Sequence, residues 1–243
     1  MWKRIRLATL CVGATIALLA IVAVILLQMN PQSCRLAFLT QSLTGELPVP
    51  PPQFTGVWRT WYKNGRLASA YMYEGGERKG TFTTWHPNGQ KAETGRLLKS
   101  IPYDDVPGAY ENIYDGALAC WYPDGKLKEK ANFRNGVLDG RYEYWDNFDK
   151  GYWKRKDSSY KDGKEDGVCI RWDMPRVRAE ITYVAGQRHG WGKQVSEASG
   201  DLNWEEYREH DACKIYRKYR DGQLIEERKY GEAPDKKSGG DVR

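Results

Sequence analysis

The sequence predicts an all-β fold, an elongated antiparallel meander of repeated β-hairpins, preceded by one N-terminal transmembrane helix. A glycine-bounded unit with tryptophan and tyrosine at fixed places recurs along most of the chain, and such internal repeats define an architecture. The composition agrees, because 10 Trp, 16 Tyr and 25 Gly accompany only 5 Phe. Aromatic residues and turn formers in these proportions favour many short strands over a thick aliphatic core. A long apolar run near the N-terminus predicts the helix.

The N-terminal residues predict a signal anchor. Residues 1–6 are a basic, cytoplasmic segment, and residues 7–27 form an apolar run without a charged side chain. As a helix rising ~1.5 Å per residue, this run spans roughly 30 Å, the thickness of the hydrocarbon layer. A cleaved signal peptide has an apolar core of about 7–15 residues and small residues at the cleavage site, which QMNP does not supply. We therefore expect a single-pass membrane protein with an extracytoplasmic repeat domain; secretion after cleavage is the alternative.

Two further segments flank the repeats. Residues 28–55 contain PVPPPQ and no sustained hydrophobic period. Consecutive prolines favour the extended polyproline II conformation, so this segment is predicted to be a semi-rigid linker. Residues 231–243 are polar and glycine-rich, which predicts a disordered tail. The repeats therefore occupy residues 56–230.

The repeat unit is clearest in the first copy, GVWRTWYKNGRLASAYMYEGGERKG. It has glycine, one residue, an aromatic, two residues and then Trp-Tyr-x-Asn-Gly-x-Leu. A strand pattern follows, and a Tyr-x-x-Gly-x-x-x-Gly connection opens the next copy. The interval between the second and third copies holds an insertion, residues 96–115. The copies begin at Gly56, Gly80, Gly116, Gly140, Gly167, Gly190 and close to Cys213.

Each copy predicts a β-hairpin from its turn residues. In the third copy, a Tyr-Pro-Asp-Gly sequence places proline second, aspartate third and glycine fourth. This is type I turn chemistry, with a glycine that adopts the left-handed bulge conformation. The residues predicted to have this structural role are Asn64, Gly65, Asn88, Gly89, Asp124, Gly125, Asp221 and Gly222.

The repeated pattern resembles the MORN (membrane occupation and recognition nexus) repeat variant of bacteria. The first three copies carry it best, with G-x-[aromatic]-x-x-W-[YH]-x-[ND]-G-x-L and the closing Y-x-x-G-x-x-x-G. The resemblance implies a MORN-like repeat sheet that binds another protein or acts as a scaffold. Many similar bacterial proteins are labelled antitoxin components of toxin–antitoxin systems, which is one alternative function. Glycan-binding cell-wall repeats are also aromatic-rich hairpins, so a cell-envelope glycan-binding module is a second alternative.

Aromatic side chains and the insertion are the candidate partner-binding features. The rings suit a peptide, a glycan or another protein, but they also serve as cross-strand pairs worth on the order of 0.2–1 kcal/mol each. Trp58 and Trp61 are three residues apart, so either both faces carry aromatics or a bulge brings the rings together. The prolines of the insertion are expected to keep it out of the strand ladder, as a partner-specific loop. The candidates are Trp58, Trp61, Tyr62, Trp85, Trp121, Tyr122, Trp145 and Trp172 among the repeats, and Tyr103, Asp104, Asp105 and Tyr110 in the insertion.

Nothing in the sequence favours catalysis. The three histidines are scattered, and no Ser/His/Asp motif, metal-binding histidine pair or phosphate-binding glycine loop occurs. The adjacent acids Glu205 and Glu206 would point to opposite faces of a strand, so we expect solvated charges rather than a catalytic pair. We therefore predict no enzyme activity, no cofactor and no metal. Dispersed acids and bases predict no nucleic-acid partner either.

Three cysteines fall in alternate copies. Cys120, Cys169 and Cys213 lie in the third, fifth and seventh copies. Two copies of a regular meander are about four strands, or roughly 19 Å, apart. A disulfide needs Cα atoms within about 7 Å of each other. We therefore expect these cysteines to be free and partly buried.

Overall fold

The computed structural model describes residues 34–44, 49–103, 109–148, 151–174 and 176–232. The described residues form two compact units, one up to Tyr114 together with residues 123–125, and one containing residues 115–122 and those from Lys126 onwards. The first unit contains α1 (Cys34–Thr44), β1 (Gly56–Trp61), β2 (Leu67–Glu74), β3 (Glu77–Trp85), β4 (Lys91–Pro102) and β5 (Tyr110–Tyr114). The second contains β6 (Gly116–Trp121), β7 (Leu127–Arg134), β8 (Val137–Leu138), β9 (Gly140–Phe148), β10 (Gly151–Lys161), β11 (Lys164–Glu165), β12 (Gly167–Met174), β13 (Val177–Val184), β14 (Gln187–Arg188), β15 (Gly190–Ser196), β16 (Leu202–Glu209), β17 (Ala212–Arg220) and β18 (Gln223–Lys229).

The predicted antiparallel meander of hairpins is confirmed. In the first unit each strand pairs with the next along the chain. In the second unit the long strands do the same, from β6 and β7 to β17 and β18. The two-residue strands β8, β11 and β14 each pair with the strand before them. Strands that are neighbours in the chain are therefore neighbours in an open sheet.

Helix α1 was not predicted. It lies within residues 28–55, where we expected only an extended linker, and that expectation is wrong for Cys34–Thr44. The prolines of PVPPPQ follow the helix and do not interrupt it. The Phe38 ring packs edge-on against the Trp61 ring, with ring centres 5.5 Å apart. The helix is therefore attached to the first hairpin by an aromatic contact.

The predicted membrane anchor lies outside the described residues. Residues 1–6, the apolar run at 7–27 and residues 233–243 of the predicted tail all belong to the part of the chain that is not described. Among the described residues, no helix has the length and apolar character that crossing a bilayer requires.

The first three hairpins turn as their sequences predict. Tyr62 donates its backbone N–H to the Arg66 carbonyl at 2.8 Å, and Gly65 donates its own to the Tyr62 carbonyl at 2.9 Å. Gly65 has a φ of 78°, the left-handed conformation of the bulge. Equivalent 2.8 Å hydrogen bonds close the turns of the second and third copies. These turns contain Asn64, Gly65, Asn88, Gly89, Asp124 and Gly125.

The last hairpin has a different turn from the one predicted. Arg220 pairs directly with Gln223, so only two residues form the turn. These are Asp221, with a φ of 49°, and Gly222, with a φ of 73°. Two successive positive φ angles define a type I′ turn, which matches the twist of two strands joined by so short a connection. The two residues are turn residues as expected, but the type I prediction is wrong for them.

The connections between copies are also tight turns with two positive φ angles. After four of the five comes the glycine that opens the next copy, and it too has a positive φ; no glycine follows the turn of His210 and Asp211. Gly140 shows why glycine is needed, since its φ is 118° and an added Cβ would lie 3.0 Å from the Asn132 Cβ. The turn residues are Gly75 and Gly76, Asn135 and Gly136, Asp162 and Gly163, Ala185 and Gly186, and His210 and Asp211.

In four copies, a side chain just before the opening glycine fastens the copy to the following connection. Asp166 is an example: its Oδ2 accepts a 3.1 Å hydrogen bond from the backbone N–H of Ala185, the first residue of the next turn. The sequence reading missed this role, because aspartate before glycine there looks like an ordinary turn residue. The side chains that act in this way are Thr55, Asp115, Asp139 and Asp166.

The insertion extends the sheet instead of leaving it. Strand β4 runs on to Pro102, and β5 pairs with its end, with Ile101 opposite Glu111 and Pro102 opposite Tyr110. Our expectation that prolines exclude the insertion from the ladder is therefore wrong. Pro102 is the last residue of its strand, where a missing N–H does not break a central ladder. Residues 104–108, including Asp104 and Asp105, lie outside the described residues.

One face of the first unit carries its core. Trp58 and Tyr73 are 4% and 2% exposed, and Trp61 packs against them. The strand pairing shifts by one residue between Thr60 and Trp61. This shift is a β-bulge, one of the two alternatives that the spacing of Trp58 and Trp61 allowed. Buried side chains of the second unit include Leu118, Ala131, Cys169, Ala179, Ile181 and Tyr183.

Candidate functional site

The predicted aromatic candidates divide into one buried ring and several partly exposed ones. Trp58 lies in the core, where its ring contacts Phe54 edge-on at 5.7 Å. Its assignment to a binding surface is therefore wrong, and its role is structural. The partly exposed rings are Trp61, Tyr62, Trp85, Trp121, Tyr122, Trp145 and Trp172.

Two of the tyrosines join neighbouring copies. The Tyr62 hydroxyl donates to the backbone carbonyl of Trp85 at 2.6 Å. The Tyr122 hydroxyl donates to the carbonyl of Trp145 at 2.9 Å. Burial is the main cause that raises the pKa of the Tyr122 phenol, so it remains a protonated donor. The tyrosine after the repeat tryptophan therefore fixes the position of the next hairpin.

Replacing Tyr122 with phenylalanine should lower the free energy of unfolding by about 0.5–1.5 kcal/mol, because the Trp145 carbonyl loses its donor while the ring packing stays. Urea unfolding followed by tryptophan fluorescence measures the difference. Tyr103 is 50% exposed and Tyr103→Phe is the control, for which we expect no change. An unchanged stability in Tyr122→Phe would show that the hydroxyl does not join the copies.

Partly exposed rings and lysine ammonium groups come together around Tyr122. We call Tyr122, Lys126, Lys128, Trp145, Tyr152 and Lys154 the aromatic–cationic surface; they lie on or beside strands β6, β7, β9 and β10. The Nζ–ring-centre distances are 5.9 Å for Lys128 and Tyr122, 5.4 Å for Lys126 and Tyr152, and 4.9 Å for Lys154 and Trp145. All three lie within the ~6 Å reach of a cation–π interaction.

Hydrogen bonds hold this surface in place. The Tyr152 ring is 38% exposed, and its hydroxyl donates to the Leu127 carbonyl at 2.9 Å. Lys154 is neutralised by Glu143 at 2.5 Å and Asp157 at 2.9 Å. Lys126 and Lys128 are exposed to solvent. The surface thus offers fixed rings with accessible positive charge, which suits an acidic or aromatic segment of another protein.

A second cluster surrounds the Glu165 carboxylate. Lys156 Nζ lies 2.7 Å from it, and one Arg171 nitrogen lies 3.1 Å from both carboxylate oxygens. Burial opposes ionisation of Glu165, but Lys156 and Arg171 outweigh it and lower its pKa. Burial raises the pKa of the Cys169 thiol, which donates to the same carboxylate at 3.5 Å. A fully paired carboxylate and a protonated thiol stabilise the sheet and are poorly suited to act as base or nucleophile.

The lowered pKa of Glu165 predicts a loss of stability in acid. The ordinary value is 4.5; because the folded value is lower, the stabilisation is present above that pH and is lost as pH falls through the folded pKa. Urea midpoints measured from pH 7 down to about 3 should therefore decline less in Glu165→Gln than in the native chain. Burial raises the pKa of Glu129, so protonation of Glu129 favours the folded state. The urea midpoint of Glu129→Gln should therefore decline more in acid than that of the native chain. Parallel profiles for all three proteins would contradict this assignment.

The acids Glu205 and Glu206 are buried, at 3% and 6% exposure, so the expectation of solvated charges is wrong. Glu205 lies 2.9 Å from Arg217 and accepts a 2.9 Å hydrogen bond from the Tyr219 hydroxyl. Glu206 instead pairs with Arg208, 2.9 Å away. The two carboxylates have separate partners, as the opposite directions of adjacent strand residues require.

The insertion contributes one anchored and one exposed tyrosine. The Arg78 guanidinium lies 3.7 Å from the centre of the Tyr110 ring and 4.4 Å from that of Tyr71, and its Nε donates to the Tyr73 hydroxyl at 2.7 Å. Tyr110 therefore attaches β5 to the sheet. Tyr103 is exposed and is the accessible candidate in the described part of the insertion.

The described part of the chain contains three cysteines on its strands. Cys120, Cys169 and Cys213 lie on β6, β12 and β17 as free thiols, and Cys169 is buried. Within the described ranges, no three His, Cys, Asp or Glu side chains gather as a metal site would require.

One stretch of the chain matches a known family. The family model of the MORN repeat variant aligns with residues 114–135, which cover β6, its turn and β7. Residues 114–135 match the MORN repeat variant. The predicted resemblance is thereby confirmed on the third copy, the copy that supplies Tyr122, Lys126 and Lys128. A comparison of the whole sequence with curated proteins found no match.

The MORN repeat variant alone does not reveal the aromatic–cationic surface. Lys126, Lys128 and Lys130 alternate along the returning strand of the repeat, which is a usable signal for one cationic face. Tyr152 and Lys154 come from the degenerate fourth copy, and only strand pairing brings them beside the repeat. Sequence reasoning therefore found the tryptophan and tyrosine but missed the lysines and Tyr152.

Proposed function

We propose that this chain is a repeat module that binds another protein through the aromatic–cationic surface, is anchored in a membrane by residues 7–27, and performs no catalysis. The observation that carries the proposal is the accessible Tyr152 ring, which lies beside the exposed Lys126. Lys126 belongs to the matched repeat. The Tyr152 hydroxyl already donates a hydrogen bond to the Leu127 carbonyl, so little side-chain conformational entropy is lost when a partner binds. Tyrosine and tryptophan are enriched where protein interfaces concentrate their binding energy.

The charge of this surface favours an acidic partner. Lys126 and Lys128 are exposed. Lys126 Nζ donates to the neutral Asn147 Oδ1 at 3.4 Å, and Lys154 pairs with two carboxylates within the sheet. Exposed rim charges speed association with a partner of opposite sign and lose this effect in salt. The non-catalytic role is supported by the occupied Glu165 carboxylate and the protonated Cys169 thiol described above.

Site-specific photocrosslinking in the native cells tests the protein-binding proposal. A benzophenone amino acid replaces Tyr152 in the full-length chain, with matched replacements at the exposed Tyr103 and Tyr230 as controls. We expect one discrete protein adduct from position 152, weakened by Lys126→Glu with Lys128→Glu. An adduct from position 103 alone would move binding to the insertion, and a polysaccharide adduct would indicate the glycan-binding alternative.

A topology reporter tests the anchor separately. Alkaline phosphatase, which is active only outside the cytoplasm, is fused after Tyr230, and the membranes are extracted with carbonate and then with detergent. We expect activity and release by detergent alone. An inactive fusion would overturn the proposed topology and favour the cytoplasmic, antitoxin-like alternative, whereas release without detergent would indicate secretion after cleavage.

A further inference from the structure

The connection beside His189 differs from those that an Asp or Thr side chain fastens. Before the opening glycine, four copies carry Asp or Thr side chains that accept a turn N–H. The sixth copy carries His189 there, and the turn that follows β16 begins with His210, whose φ is 45°. The two rings meet with centres 4.9 Å apart at an angle of 61°. His189 Nδ1 is buried and has no hydrogen-bond partner within the described residues.

The separation of the rings suits a shared metal ion. Two imidazoles bound to one cation through metal–nitrogen bonds of about 2.0–2.1 Å hold their ring centres roughly 4.5–5.2 Å apart, for bond angles of ~90–110°. The observed 4.9 Å lies within that range. Backbone hydrogen bonds fix the two connections, since Arg188 N–H donates to Asp211 Oδ1 and Asp211 N–H to the Arg188 carbonyl, both at 2.9 Å.

Neighbouring charges do not oppose a cation. Arg188 and Arg208 both pair with Glu206, at 3.3 and 2.9 Å. Asp211 adds a second carboxylate, so the formal charge of these four groups is zero. Neutral imidazole is the protein ligand that Zn²⁺, Cu²⁺ and Ni²⁺ prefer among nitrogen donors.

We propose that His189 and His210 form a two-imidazole site for a borderline divalent cation such as Zn²⁺, with water completing the coordination. The sequence did not predict such a pair, because no histidine motif of metal-binding spacing occurs in it. Sequence motifs search for histidines at short helical or loop spacings, whereas here two successive connections bring distant residues together. The described residues contain no group of three or more metal-ligand side chains. The proposed site has only two protein ligands, so it is compatible with that finding.

Zinc titration of the full-length protein tests this site, with ring ¹H–¹⁵N spectra as the readout. The chain has 3 histidines, and His86 lies in a turn of the first unit. We expect saturable shifts of the His189 and His210 signals at micromolar Zn²⁺, while His86 does not respond. Binding should disappear in acid, because protonated imidazole is not a ligand.

Matched variants separate binding from folding. His189→Asn supplies a side-chain oxygen at the place where other copies use Asp but is a poor zinc ligand, and His210→Asn restores the residue found at Asn135, so both should fold. Each should weaken zinc binding at least tenfold, and His86→Gln should not change it. Unchanged affinity in His189→Asn, or equal shifts of all three histidines in the native chain, would overturn the proposal. If a variant fails to fold, the native spectra decide alone.

Discussion

Tyr73→Ala should lower the free energy of unfolding of the first unit by about 3–5 kcal/mol, the usual cost of removing a buried aromatic ring. Tyr73 is 2% exposed, packs with Trp58 and faces the Phe54 ring at 6.1 Å. Its removal leaves a cavity that neighbouring strands close only in part. Urea unfolding, with hydrogen exchange to localise the loss, measures the effect.

Two controls accompany this variant. Tyr103→Ala removes the same side chain from an exposed place and should change stability by no more than ~0.5 kcal/mol. Tyr73→Phe removes only the acceptor of the Arg78 hydrogen bond and should cost about 1 kcal/mol. Equal losses in Tyr73→Ala and Tyr103→Ala would show that this ring is not part of a cooperative core.

Arg217→Met should lower stability by about 3 kcal/mol, because the buried Glu205 carboxylate loses the cation that lies 2.9 Å from it. The Glu205 side chain is 4% exposed and Arg217 26%, so water screens the pair only partly. The Tyr219 hydroxyl still donates to Glu205, which limits the loss. Urea unfolding monitored by circular dichroism measures the change.

The double replacement tests the cause. Arg217→Met combined with Glu205→Met removes both charges and should recover much of the stability, as happens when apolar residues replace a buried ion pair. Glu227→Gln removes the exposed acid that also contacts Arg217 and should have little effect. If the double variant were as unstable as the single one, packing by the Arg217 stem, not its charge, would account for the loss.

Features set by local chemistry could be predicted from the sequence. Asn64 and Gly65 lie in a turn because asparagine and glycine accept the required angles whatever surrounds them. The copy boundaries could also be predicted, because the opening glycines have positive φ angles that favour glycine. The match to residues 114–135 rests on the same local pattern.

Features set by pairing between strands could not be predicted from the sequence. Burial of Trp58 depends on the face that the register selects, and the sequence spacing allowed two answers. Helix α1 has a weak apolar pattern of its own and is held by the contact of Phe38 with Trp61. Tyr152 and Lys126 come from different copies, so their proximity follows from the sheet and not from any motif.

The bonds between copies have a consequence for how the protein is made. The Tyr62 and Tyr122 hydroxyls each reach a carbonyl 23 residues further along the chain, and Asp166 reaches an N–H 19 residues ahead. A chain that emerges from the ribosome N-terminus first therefore never waits for a distant segment, because each copy needs only the next one. The hairpins can thus fold one after another during synthesis, and each new hairpin pairs with the strand that was last added.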